Sequence, residues 1–205
     1  MTPHETPPET PALAPHLWVA LCGLLATGSV LVWALDAGYQ LAWQAASWRQ
    51  TPWTLWSAPL LHLSAVHMLG NLLALAALAL LGVVIPLGAR AALALFLAWP
   101  LSTASLMAWP EVTRYVGLSG LVHAGVAVVW LHARQAPVAQ RWSPLLLAAL
   151  LLKLVTEQAW VYPVSFDPYW NINVVAAGHL GGAVVGLVCG AVCLVRLRPV
   201  PSAAF

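Results

Sequence analysis

A serine hydroxyl attacks a carbonyl at neutral pH only when a neighbouring base takes its proton, so residues able to form such a pair come first. Ser119 lies in Gly117-Leu-Ser-Gly120, directly before an apolar run that closes at Arg134. A hydroxyl at the start of a helix sits among free backbone N–H groups and at the positive end of the helix dipole, which favours developing negative charge. Alone this says little, because serine is also a common helix N-cap. His179, in Gly178-His-Leu-Gly-Gly182, is the complementary base, since an imidazole ordinarily titrates near about 6.5. His67 and Asn71, in His62-Leu-Ser-Ala-Val-His67-Met-Leu-Gly-Asn71, stand one turn apart on one helix face. They aim two hydrogen-bond donors at one place, as an oxyanion needs, and each such donor is worth roughly 3–4 kcal/mol of barrier. Capping of backbone groups on neighbouring helices is the competing reading of that pair. No carboxylate lies near His179 in its own segment, so a Ser119–His179 dyad is expected rather than a triad.

The composition says what holds these residues. Apolar residues make up 61% of the 205-residue chain and charged residues only 7%, with a mean hydropathy of +0.84. A soluble domain is about a quarter charged, so the lipid bilayer is the expected solvent. The net charge of +2 is not clustered, which excludes a nucleic-acid partner. Cys22, Cys189 and Cys193 lie in apolar runs, where a thiol behaves as a small hydrophobe; neither a metal nor a cofactor is implied. Spans are expected over 17–35, 65–85, 91–109, 119–133, 144–162 and 174–195. The fourth, about fifteen residues long, falls short of the roughly 20 that cross a bilayer, so Ser119 is expected below the membrane surface. Gly182, Gly186 and Gly190 repeat every four residues on the sixth span, and Gly120 and Ala124 do so on the fourth. Small residues at that spacing let membrane helices approach closely, which would bring His179 to Ser119.

The remaining segments set topology. Residues 1–16 are rich in proline and read as a disordered tail, and 199–205 as a short second one, leaving 17–198 as the membrane domain. With both termini cytoplasmic, Arg90, Arg134, Arg141, Arg196 and Arg198 face inward and Arg49 and Arg114 outward, as the positive-inside rule favours. Trp43, Trp48, Trp53 and Trp56 suit a connection lying among lipid headgroups. Lys153 and Glu157, four apart in the fifth span, either pair or snorkel to the interface.

These motifs in this order resemble the rhomboid family of intramembrane serine proteases: His-x-x-x-Asn on the second helix, Gly-x-Ser-Gly at the fourth, and His-x-x-Gly-x-x-x-Gly on the sixth. The resemblance implies an all-α polytopic fold, a six-transmembrane-helix core with a short fourth helix of buried start, a membrane-embedded first loop and a lateral gate at the fifth helix. It implies Ser119 and His179 as the dyad and His67 and Asn71 as oxyanion donors, with Gly117, Gly120, Gly182 and Gly186 in support. Many bacterial rhomboids have Trp-Arg where this chain has Trp53-Thr54. Four residues after the serine, where a Tyr commonly packs on the catalytic His, this chain has His123, an imidazole placed to pack on His179 or to hydrogen-bond it. That run is similar to the rhombosortase branch, which implies a bacterial inner-membrane enzyme opening to the periplasmic side. Its partner would be a membrane-anchored protein with a C-terminal transmembrane helix preceded by a Gly-Gly signal. A classical rhomboid of broader specificity, a non-catalytic rhomboid-like helix binder and a small transporter are the alternatives. Convergence of the polar groups at one depth, without internal repeats, speaks against the last.

Overall fold

The computed structural model describes residues 14–194. Apolar runs broken by Gly, Pro and charge give helices α1 (Ala14–Ala34), α2 (Thr54–Ser57), α3 (Ala65–Val84), α4 (Ala89–Ala104), α5 (Ser119–Ala133), α6 (Ser143–Glu157) and α7 (Ala176–Leu194). A 3₁₀ turn over Ser105–Ala108 prolongs α4. Four segments, 15–34, 65–84, 89–108 and 176–194, are long and apolar enough to cross a membrane. Helices α5 and α6 have 15 residues each, which is about 22 Å of rise against a hydrocarbon core of about 30 Å.

Leucines and valines stand outward along the helices, among them Leu73, Leu80, Leu152 and Val192, each more than 60% exposed. Side chains of this kind seek lipid rather than water, and the chain is an integral membrane protein. The interior is small-residue rich. Ala91, Ala94, Ala98, Ala124 and Ala127 are fully buried, and a side chain added at Gly182 or Gly186 would run into the backbone of Gly120 or Ala124. Helix α7 is thereby seated against α5 at backbone distance, as the glycine stripe predicts. Trp18 packs on Gly82 and its indole N–H donates to the Leu78 carbonyl at 2.9 Å, which ties α1 to α3.

Several expectations need correction. The first helix begins at Ala14, so residues 14–16 belong to it rather than to the tail; 1–13 and 195–205, with Arg196 and Arg198, lie outside the described residues. The fifth span ends at Glu157 instead of Tyr162, because Gln158 turns left-handed (φ 48°, ψ 46°) and closes the helix. The connection after α1 is not uniformly interfacial, since Trp43 is fully buried while Trp53 stays half-exposed. Trp43 is held by a small antiparallel pair, β1 (Trp43–Gln44) with β2 (Arg114–Tyr115). A second pair, β3 (Ser165–Asp167) with β4 (Ile172–Val174), forms a hairpin before α7. Thr54, beside Trp53, is buried and its hydroxyl donates to the Thr51 carbonyl at 2.7 Å, a local bond.

Candidate active site

Helix α5 starts from a turn that only glycine adopts without strain. Gly117 has φ 114°, its N–H donates to the Ala58 carbonyl at 3.1 Å, and a Cβ there would press on the His67 ring. The first turn is anchored from below by Tyr115, whose hydroxyl accepts from the Gly120 N–H at 3.2 Å. Burial pushes the Tyr115 phenol up to about 12, so it stays neutral. Ser119 is thereby fixed as the first residue of the helix.

Across the glycine contact, His179 is buried (6% exposed) with Nε2 2.9 Å from Ser119 Oγ. Its Nδ1 lies 2.7 and 2.9 Å from the two carboxylate oxygens of Glu157. A carboxylate only accepts, so Nδ1 carries the proton and donates to Glu157, Nε2 keeps its lone pair, and the Ser119 hydroxyl donates to it. The ring of His123 stacks on that of His179, with centroids 4.3 Å apart and planes within 12°. His123 Nδ1–H donates to the Ser119 carbonyl at 2.8 Å. Packing, rather than a hydrogen bond between the rings, is how His123 meets His179.

Helix α3 supplies the facing wall. Ser64 caps it by accepting from the His67 N–H at 3.1 Å, and the Leu63 N–H makes a long 3.5 Å contact to His67 Nδ1, which leaves Nε2 as the protonated nitrogen. Asn71 is 7% exposed and its Nδ2 is buried without a partner among the described residues, so it does not cap a neighbouring helix. Behind His67, burial and then the nearby imidazole of His67 hold His62 down to about 4, so it is neutral at physiological pH.

His67, Asn71, Ser119, His123, Glu157 and His179 line one cavity of about 210 Å³, roofed by the β3–β4 hairpin. Trp170 of that hairpin rests on Gly70, and Asp167 Oδ1 accepts from the Tyr169 and Trp170 N–H groups at 2.8 and 3.2 Å to fold its tip. Gly120, Gly182 and Gly186 do not line the cavity but let α5 and α7 meet, and Gly117 makes the turn that opens α5. A second cavity of about 260 Å³, lined by Asp36, Tyr39 and His62, holds no serine or cysteine.

One residue was missed. The expectation of a bare dyad rested on the sixth span having no carboxylate, but Glu157 reaches His179 from α6. The available signal was the Lys153–Glu157 spacing: they pair at 2.7 Å, and the glutamate side chain is only 14% exposed, so it does not snorkel. Possible metal ligands on His123, Glu157 and His179 fall within 4.8 Å of one another. Ring lone pairs lie in the ring planes, however, and two nearly parallel stacked planes cannot converge on one ion; both Nδ1 atoms are also engaged.

A family model described as the Rhomboid domain matches residues 49–196. Among curated proteins, the chain is similar to the Rhomboid protease GlpG of Pectobacterium atrosepticum, 29% identical over 175 residues, covering 83% of this chain and 60% of that protein. The Rhomboid protease GlpG of Photorhabdus laumondii subsp. laumondii is 29% identical over 178 residues, covering 84% of this chain and 55% of that protein. The chain thus spans less than two thirds of the length of these relatives.

Proposed function

Because this chain belongs to the rhomboid family, we propose that it is an intramembrane serine endopeptidase with Ser119 as nucleophile and His179 as base. The observation that carries the reading is the 2.9 Å contact between Ser119 Oγ and the lone-pair nitrogen of His179. As Oγ attacks a substrate carbonyl carbon, Nε2 takes the hydroxyl proton. Negative charge gathers on the carbonyl oxygen, where Asn71 Nδ2–H, His67 Nε2–H and the Ser119 N–H are the donors in reach of the cavity. The imidazolium then protonates the departing amine, leaving an acyl ester on Ser119, and a water activated by His179 hydrolyses it. The free Asn71 amide supports this, for an unpaired buried N–H is costly unless a ligand completes it.

The proposed fold is the six-helix rhomboid core, with the membrane domain expected over 17–198 opening three residues earlier, at Ala14. Ser119, His67, Glu157 and His179 all lie at one end of their helices, while Arg90, Arg134 and Arg141 lie at the other. That favours cytoplasmic termini and a periplasmic opening in a bacterial inner membrane. Helix α6 suits a lateral gate: its buried side chains are Ser143, Leu150 and Leu154, Leu146 packs partly on the core, and Leu145, Leu151, Leu152 and Val155 are exposed.

The substrate is a membrane-anchored protein with a C-terminal transmembrane helix and a Gly-Gly signal, as in rhombosortases. His123 in place of Tyr supports that branch. Co-expression with a Gly-Gly tail-anchored protein, and mass spectrometry of its new C-terminus, tests it. Cleavage beside the glycines that disappears with Ser119→Ala is expected; processing that survives Ser119→Ala overturns the assignment, and cleavage only of anchors lacking Gly-Gly returns the chain to broader rhomboid specificity.

A further inference from the structure

We infer that Glu157 is a positioning residue of this site, so that the working unit is a serine–histidine–glutamate triad gathered from α5, α7 and α6; the inference rests on the roles proposed above for Ser119 and His179. Both carboxylate oxygens lie within reach of His179 Nδ1, and Oε1 also holds a second partner. Oε2 faces His179 Nδ1 at 2.7 Å and Oε1 faces Lys153 Nζ at 2.7 Å. Lysine at i−4 on the same helix thus fixes the carboxylate rotamer, and being half-exposed itself (53%), it leaves the buried side of the glutamate to the imidazole. Helix α6 ends at this residue through the left-handed Gln158, which turns the chain away and leaves the last side chain aimed inward.

Two consequences follow for His179. A neutral imidazole has two tautomers, and only the Nδ1–H form presents a lone pair to Ser119; an acceptor at Nδ1 selects it. When Nε2 gains the serine proton, the ring becomes a cation inside a largely apolar site. The groups around it are Ser119 and His123 on α5, His67 on α3, Tyr115 beneath, Lys153 beyond Glu157, and Asp167 on the cavity roof. Glu157 is the anion in direct contact with the ring. His123 covers one face of the ring, while Glu157 fixes rotation within the ring plane, so together they leave the imidazole one orientation.

The test uses the purified full chain in liposomes and the rate at which a fluorophosphonate phosphonylates Ser119 with loss of fluoride, which needs no knowledge of the substrate. Glu157→Gln is expected to slow labelling about 100-fold or more, since loss of the carboxylate partner in serine triads costs up to about 10⁴, with an unchanged Tm. Glu157→Asp is expected to recover part of the rate. In ¹⁵N-histidine spectra of the unmodified protein, neutral His179 is expected protonated at Nδ1, and Glu157→Gln is expected to mix the tautomers, because an amide both donates and accepts. Labelling of Glu157→Gln at the unmodified rate overturns the inference. So does an Nε2–H tautomer of His179 in the unmodified protein, a readout that stands even if the variant does not fold. Failure of the unmodified protein to label, or labelling that persists in Ser119→Ala, strikes instead at the serine assignment on which the inference rests.

Discussion

At the scale of single residues, the site is a set of tautomer choices and unfilled hydrogen bonds. An amide N–H buried without a partner costs about 1–3 kcal/mol, and Asn71 Nδ2 is in that state. Asn71→Ala is therefore expected to leave Tm unchanged or raise it slightly while lowering kcat by about 10²–10³-fold, the usual loss for one oxyanion donor. Steady-state kinetics alongside thermal unfolding checks this, and a loss of stability with activity retained would assign Asn71 to scaffolding. His123 makes a contact of a different kind. An aromatic stack contributes about 0.5–1.5 kcal/mol, so His123→Ala is expected to lose roughly 3–10-fold in rate and His123→Phe to keep most of it. Complete loss in both variants, equal to that of Ser119→Ala, would give the imidazole a direct part in proton transfer. Residue types and spacing made Ser119, His179, His67, Asn71 and His123 legible as candidates, because a polar group in an apolar helix needs a reason to be there. Glu157 was not legible as a partner of His179. Its spacing to Lys153 already explained it locally, and nothing in a linear pattern says which of two neighbours 22 residues apart a carboxylate will also meet.

At the scale of elements, reactivity depends on two backbones meeting. Ser119 and His179 are 60 residues apart, and α7 reaches α5 because Gly182 and Gly186 expose bare backbone to Gly120 and Ala124. Overpacking a close contact costs about 1–3 kcal/mol and moves the backbone. Gly182→Val is expected to push α7 outward, lower Tm and abolish fluorophosphonate labelling. Gly190→Ala, whose close contact is the flexible end of Leu131 with backbone only at ordinary van der Waals distance, is expected to keep most of the labelling. Equal labelling in both variants would mean that the glycine stripe does not set the Ser119–His179 distance. The stripe was readable because small residues at four-residue spacing have one strong use in a membrane helix. The end of α6 was not: apolar Trp160, Val161 and Tyr162 continue the hydropathy past Glu157, and the left-handed Gln158 that stops the helix has no marked preference for doing so. The two small strand pairs were equally hidden, being two or three residues long with no alternation to read.

At the scale of the whole molecule, the proposed hydrolysis needs water inside a protein dissolved in lipid. Helices of 15 residues cannot reach both surfaces of a core of about 30 Å, so the end of α5 that carries Ser119 is recessed if its other end, marked by Arg134, reaches the opposite interface. The polar side chains of α3, α5, α6 and α7 then surround a cavity at the recessed end, and the hairpin over 165–174 forms part of its wall. Composition alone made the membrane class and the shortness of the fourth span readable, since both depend on counting apolar residues; the roof depends on Trp170 finding Gly70, a contact that sequence spacing cannot supply. The proposed orientation can be tested directly. With the arginines at the end remote from the site placed on the cytoplasmic side, alkaline phosphatase fused after Gly38, Glu111 or Pro168 is expected to be active in the periplasm, and fusions after Leu87 or Pro137 to be inactive there. The reverse pattern would turn the cavity toward the cytoplasm, where exported tail-anchored proteins do not present their outer juxtamembrane segment, and the proposed substrate class would have to be abandoned even with the triad intact.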